Sequence, residues 1–337
     1  MFQIKKGILE GHELCLHERL CMLNGVLLVN KPKGLTSHDV VARIRRILKM
    51  KAVGHAGTLD PFATGLLVIL LGEGTKISNE FRDADKAYQV KAELGYTTDS
   101  WDNTGEVVSE NREYDISVEE LKEEVFKHVG ALELKVPIYS AIKQKGKKLY
   151  ELAREGVEVD APTRTMNFYD LKWIEGDSHT FEVYFRCSKG SYVRSWVNTI
   201  GEKLGMGATA VELKRTSSSP FELSEALELD DLENLKDECE GIDLLHKQVG
   251  EMESFKSLNQ ALTGFLGLTV TGKDLKLLRN GQISYALDER LVFEQKEAQK
   301  SGEELTMRIL DGHTGELVGL IEIPALGKLK IKRIFNT

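Results

Sequence analysis

The sequence predicts an α+β protein: a mixed, mostly antiparallel sheet flanked by helices, with a small β-rich unit at the carboxyl end. Three observations predict it. Strand-like and helix-like segments interleave, yet they do not alternate strictly as parallel βαβ units would. Two long strand patterns follow one another at 163–175 and 180–188, and "GEVV" adds a hairpin signal. An acidic stretch, 222–243, then separates this part from a short strand-rich tail starting near residue 251.

The elements follow in order. "NGVLLVN" (24–30) reads as a buried strand and "KPKG" after it as a turn. Thr36 or Ser37 caps a helix whose apolar positions Val40, Val41, Ile44, Ile47 and Leu48 keep helical spacing. "TGLLVILLG" is a second buried strand, and "YQVKAELGYTT" (88–98) alternates as a half-buried one. Ser117 and Glu120 form a capping box that opens the amphipathic helix "VEELKEEVFKHV". After the two long strands, "KGSYVRSWVNTIGEKLG" turns at Gly190 into another helix, and "TAVELKRTS" is a further strand. No internal repeat or low-complexity tract interrupts this order.

At 337 residues, the chain has room for more than one domain. Its longest apolar run, "LLVILL" (66–71), is too short to span a bilayer, and the amino terminus lacks the continuous apolar stretch of a signal peptide. A cytoplasmic protein without a membrane association is expected. The four cysteines include no CxxC pair, which argues against a zinc site or a disulfide framework. Cys187 falls in the apolar phase of its strand and reads as a buried free thiol. Nothing in the pattern calls for a metal.

The net charge of −8 conceals strong local contrast. Residues 222–243 hold ten acids and one lysine, a net of −9, so the rest of the chain is about neutral. Its bases are clumped without acids at 43–51, 143–148 and 328–333. Local fields rather than net charge steer polyanions, so these clumps suggest a polyanion surface. Arg43, Arg45, Arg46, Lys143 and Lys147 are its expected members.

The stretch "GHAGTLDPFATG" (54–65) resembles a phosphate loop at first sight. A Walker loop fails because Thr58 and Leu59 follow Gly57, and a dinucleotide fingerprint fails because the glycines lead into a strand. His55 and Asp60 alone are too few ligands for a metal. An isolated Asp-Pro would be a turn. Here, though, Gly54, Gly57 and Gly65 would let something bulky approach the backbone, and a buried strand anchors the loop. An acid fixed there can act as nucleophile or base toward an electrophilic carbon, provided a cation keeps it ionised. "CSKGSYVRS" offers Arg194.

At these residues the chain resembles the TruB family of tRNA pseudouridine synthases. Beside "GHAGTLDPFATGLL", the segments "NGVLLVNKPKGLTSHDVV", "DKAYQVKAELGYTTDSWDNTGEVV", "VPIYSAIKQKGKKLYELAREGVEV", "CSKGSYVRS" and "GEKLGMGATAVELKRTSSSPF" carry the resemblance in the family's order. It is dense over roughly residues 22–225 and weaker in the tail. It implies the pseudouridine synthase fold, a catalytic domain over 22–250 and a PUA-like RNA-binding domain over 251–337. Residues 1–21 match nothing in the family and stand as an extension of unknown role, with Met22 the expected start.

The resemblance also implies the chemistry: isomerisation of uridine 55 in the T loop of tRNA to pseudouridine, without cofactor or metal. Asp60 matches the catalytic aspartate, Tyr88 the tyrosine that stacks on the base and helps move its proton, and Arg194 the arginine paired with the aspartate. Tyr192 and Leu213 match base-pocket residues, His55 a histidine touching the RNA where the uridine leaves its stack, and Lys31 the lysine of the KP pair. Val136 and Ser191 depart from the usual proline and threonine. The uridine would flip out at a few kcal/mol, and Asp60 would drive cleavage of the N1–C1′ bond. Attack at C1′, attack at C6 and removal of the C2′ proton are the routes, with family chemistry favouring the last.

The expected partner is tRNA, bound through its T stem-loop, with the tail lysines suited to the acceptor arm. The chain would act as a monomer with no obligate protein partner. A tRNA-folding chaperone role can coexist with catalysis. A glycosidase-like reading would want a second carboxylate that no motif supplies.

Overall fold

The computed structural model describes residues 23–140, 142–144, 147–149 and 161–336, without the side chains of 143, 144, 147 and 148. The expected extension, 1–21, therefore lies outside the described residues.

Along the chain run β1 (Gly25–Lys31), β2 (Val53–His55), β3 (Thr64–Leu71) and β4 (Lys86–Leu94). The hairpin of β5 (Tyr96–Thr98) and β6 (Val107–Glu110) follows, then β7 (Gly130–Lys135) and a ribbon of β8 (Lys143–Gln144) and β9 (Lys147–Lys148). Next come β10 (Thr163–Gly176), β11 (Thr180–Cys187) and β12 (Ala208–Ser218). Short strands β13 (Phe221–Glu222), β14 (Leu227–Glu228) and β15 (Phe255–Ser257) complete one large sheet of order β14-β1-β3-β12-β4-β11-β10-β7. Its pairs are antiparallel except β1–β14 and the two-residue contact of β3 with β12.

Helices α1 (Ser37–Ile47), α2 (Val118–Lys127) and α3 (Val193–Leu204) carry apolar stripes into one face of this sheet. Val40, Ile44, Leu121, Val125, Trp196 and Ile200 join Leu27, Leu67, Val90, Phe181 and Phe185 in one buried cluster. Each such side chain contributes about 1.5–3 kcal/mol by burial. Trp196, nearly fully buried, donates its Nε1 to the His128 carbonyl at 2.8 Å, so the large ring brings in no unpaired polar group. Both expected caps form as boxes: Thr36 with Asp39 and Ser117 with Glu120.

The acidic stretch folds as helices α4 (Leu229–Glu238) and α5 (Ile242–Glu251). Leu229, Leu232, Leu245 and Val249 anchor them in the main core. The segment expected as a single strand over 88–98 breaks in two at Gly95, whose φ of +93° is incompatible with a continuing strand.

The carboxyl-terminal sheet has order β16 (Leu266–Val270), β17 (Leu305–Asp311), β18 (Leu317–Ile323) and β19 (Lys330–Ile334). Three helices that the strand-rich pattern did not foretell, α6 (Gly272–Arg279), α7 (Tyr285–Arg290) and α8 (Val292–Ser301), connect its first two strands. β15 pairs with β1, so the chain beyond residue 251 stays on the large sheet before the small one begins at Leu266. The two sheets share a second core. Val26, Leu28, Leu66 and Val68 point away from the helices and pack with Leu317, Leu320 and Phe335. Among the described residues no helix is long and apolar enough to cross a membrane.

Candidate active site

Asp60 stands in the loop between β2 and β3, at one wall of a cleft of about 1150 Å³. Arg194, in the first turn of α3, reaches it with two prongs: Nε to Oδ2 at 2.9 Å and Nη2 to Oδ1 at 3.1 Å. Such a fork fixes the orientation of the carboxylate as well as its charge. The guanidinium is held from behind. Nη1 donates to the Ser100 carbonyl at 2.8 Å and lies 3.2 Å from Asp102 Oδ2, and Nη2 also reaches the Tyr139 carbonyl at 3.1 Å. The Arg194 side chain is 4% exposed against 32% for Asp60, so the arginine is buried and the acid faces the cleft.

Asp102 is a second carboxylate on the same cation. It accepts from Ser100 Oγ and from the Thr104 amide and hydroxyl, which satisfies it although it is buried. Between Ser100 and Asp102, Trp101 adopts φ +62°, a left-handed conformation that costs a side-chain-bearing residue about 1–2 kcal/mol. Because both of its neighbours bind Arg194, that cost falls at the site itself.

The remaining wall comes from β4, β12 and the start of α3. Tyr88, Tyr192 and Leu213 line the cleft together, and His55 joins them with its ring edge-on to His38 at 5.7 Å. Burial pushes the Tyr88 and Tyr192 hydroxyls above their ordinary values and the His55 imidazole below its own. At neutral pH both tyrosines are therefore protonated and the imidazole is uncharged. Cys187, a buried free thiol as expected, also lies on the wall, and burial raises it to about 12, which keeps it unreactive.

The structure thus brings Asp60, Arg194, Tyr88, Tyr192, Leu213 and His55 to one cleft. It does not bring Lys31 there. Lys31 is fully buried, and its Nζ donates to the carbonyls of Pro32 (2.9 Å), Leu35 (2.7 Å) and Pro61 (3.4 Å), bracing the loop just past Asp60. Expected as a substrate contact, it is a strut instead, because its ammonium is used up by backbone. Burial lowers it to about 8.

Gly65 also has a different use from the expected one. Gly57 and Gly65 take φ of +119° and +100°, and a Cβ at Gly65 would lie 2.3 Å from the Arg215 carbonyl oxygen. Gly65 makes room for the protein's own backbone, where β3 touches β12, rather than for a ligand, whereas Gly57 stays on the cleft wall.

Of the basic surface, Arg45 and Arg46 are exposed on α1. Arg43 is not free: Nε and Nη2 grip Glu233 at 2.6 Å each, and Nη2 meets Asp230 at 2.7 Å, so the acidic helix α4 neutralises it. The side chains of Lys143 and Lys147 lie outside the described residues. In the tail clump, Lys332 bridges to Glu80 of the large unit at 2.8 Å and so ties the two sheets together.

Sequence reasoning gave no role to Asp102, Arg215, His38 or Lys86, all of which line the cleft. Arg215 had a readable signal, an arginine in the inward phase of "TAVELKRTS". Asp102, in an irregular turn, had none. No group of His, Cys, Asp or Glu able to hold a metal occurs among the described residues.

Comparison with known proteins agrees with this architecture. Residues 45–193 match the TruB family pseudouridylate synthase (N terminal domain) model, and 194–255 match the tRNA pseudouridylate synthase B C-terminal domain. A Bdellovibrio bacteriovorus protein, tRNA pseudouridine synthase B, is 40% identical over 314 residues, 93% of this chain and 97% of its own. The Thermotoga maritima protein of the same name is 47% identical over 209 residues, covering 61% and 66% of the two chains. Among solved structures, an H/ACA RNP bound to a substrate RNA containing 2′-deoxyuridine aligns with TM-score 0.64 at 19% identity, over 95% of this chain and 87% of that one. That likeness speaks to the fold. An acid fixed by a buried arginine, set in a sheet of this topology and matched almost end to end by the Bdellovibrio sequence, makes this chain a member of the TruB family of pseudouridylate synthases.

Proposed function

We propose that the chain converts uridine 55 in the T loop of tRNA to pseudouridine. The observation that carries the reading is the forked Asp60–Arg194 pair, buried on the arginine side and open on the acid side, at the wall of a cleft with aromatic and apolar lining. Its relatives' name, tRNA pseudouridine synthase B, supports tRNA as the substrate.

In this reading the uridine leaves its stack and enters the cleft, where His55 meets the RNA at the point of exit. Tyr88 stacks on the base, and Tyr192 and Leu213 close the pocket. Asp60, kept ionised and aimed by Arg194, drives cleavage of the N1–C1′ bond, by proton removal from C2′ or by attack at C1′ or C6. The uracil then rotates and C5 bonds to C1′ as the proton returns to C2′ or the bond made by Asp60 breaks, after which the C5 proton leaves and N1 takes one up. Because burial disfavours its anion, Tyr88 serves as a hydrogen-bond donor to the base rather than as a free tyrosinate. Asp102 sets the position of Arg194. The unit from Leu266 onward is a PUA-like RNA-binding module that meets the acceptor arm. The enzyme works as a single chain in the cytoplasm.

Tritium release from a tRNA transcript labelled at uridine C5, with the modified position mapped by carbodiimide and primer extension, tests this reading. A single stop at position 55 is expected. Release with modification elsewhere, or no release, would remove it.

A further inference from the structure

Three cations are buried around the cleft without a carboxylate partner among the described residues: Lys31, Lys86 and Arg215. Lys31 and Lys86 spend their donors on backbone carbonyls, and Arg215 on backbone carbonyls and the Tyr88 hydroxyl. Lys86 Nζ bonds the Phe81, Arg82 and Ala84 carbonyls and so fixes the chain just before Tyr88. Arg215, 1% exposed, does the most unusual thing of the three. Its Nε donates to the Leu66 carbonyl at 2.7 Å, while Nη1 and Nη2 reach the carbonyls of Thr58 and Gly57 at 3.3 Å each. Gly57 and Thr58 precede Asp60 in the loop, and Leu66 follows it on β3. One rigid fork therefore spans the loop that presents the acid.

The backbone of Arg215 closes the same clamp. It pairs with Gly65 in the two-residue parallel contact of β12 with β3, so tightly that no side chain fits at residue 65. On its other side Arg215 pairs with Tyr88 of β4. A single residue thus sets the spacing between the loop bearing Asp60 and the strand bearing Tyr88.

A buried guanidinium without a counter-charge is costly to keep for stability alone, since desolvation is repaid only in part by neutral acceptors. Lysine could not replace it, because one ammonium cannot reach carbonyls on both sides of the loop at once.

We propose that Arg215 is a positioning residue for isomerisation, which holds the Asp60 loop in register with Tyr88 through its fork and its backbone contact with Gly65. It acts through Asp60 and through Tyr88, whose hydroxyl it also hydrogen-bonds. The proposal rests on the isomerase reading, and its test separates the two.

Wild type, Arg215→Lys and Arg215→Met are compared in three measurements: tRNA-transcript affinity, single-turnover tritium release at saturating enzyme, and amide exchange of the peptide covering residues 54–66. With the loop unclamped, the release rate should fall by about 100-fold in both variants, as expected for a displacement of about 1 Å. Affinity should stay near wild type, and amides of the 54–66 segment should exchange faster, Arg215→Lys included. Melting temperatures show whether each variant is folded, and a variant that does not fold is replaced by Arg215→Gln. Lysine restoring the rate, a loss confined to affinity, or unchanged exchange in the loop would each overturn the proposal. The exchange measurement stands without turnover. If wild type itself released no tritium, the isomerase reading would fail while the clamp was still judged by exchange.

Discussion

In the proposed reaction the Asp60 carboxylate must react and so cannot also be satisfied, and the residues around it resolve that conflict by division of labour. Arg194 is the buried partner, spread over two carboxylates and two carbonyls, so it remains in place whatever Asp60 does. Asp60 gives one fork to the arginine and keeps its outer face for the cleft. Lys31 illustrates the other fate of a buried charge. Burial has lowered its ammonium to about 8, from a usual 10.5. Above about pH 8 the folded chain has released this proton while the unfolded chain still holds it, so folding gains relative stability as pH rises toward 10.5. Urea unfolding of wild type and Lys31→Met at pH 7 and about pH 10 checks this, the comparison moving in favour of wild type at the higher pH. No movement would mean that the amine titrates as if exposed.

At the level of the element, the site depends on two helix starts and one strand contact. α1 begins at a capping box whose members bond each other's backbone: Thr36 Oγ1 accepts from the Asp39 amide, and Asp39 accepts from the Thr36 amide. Thr36→Ala should cost about 1 kcal/mol, read by urea unfolding, with the midpoint moving and the slope unchanged. This helix was legible in advance because capping box and apolar spacing are local signals. The Arg194 helix was legible for the same reason, from the turn at Gly190 and the pattern after it. The clamp between β3 and β12 was not. It joins residues far apart in sequence, and a glycine needed for close backbone approach looks the same in a sequence as one that makes room for a ligand. Asp102 was hidden likewise, since an irregular turn has no period to be read.

Across the whole molecule, charge is organised by folding rather than by composition. The acidic helix α4 takes Arg43 out of play, while Arg45 and Arg46 stay exposed on α1. Composition gave the clumps but not which members were already paired. Replacing Arg45 and Arg46 by glutamine should weaken tRNA binding and reduce the slope of log affinity against log salt by about 2. An unchanged slope would mean that this face of α1 meets no phosphate. The two sheets were legible as separate strand-rich regions. Their joint core was not, because Val26, Leu28, Leu66 and Val68 sit in unbroken apolar runs that show no preferred face.

The central claim is that Asp60 drives the chemistry while Arg194 holds it, and one substitution tests it most directly. In Asp60→Asn the arginine still has Asp102 and its two carbonyls, so the fold and the cleft are kept. Tritium release from labelled tRNA should then fall by at least about 10²–10⁴-fold with binding retained. Release at the wild-type rate from Asp60→Asn would contradict the account.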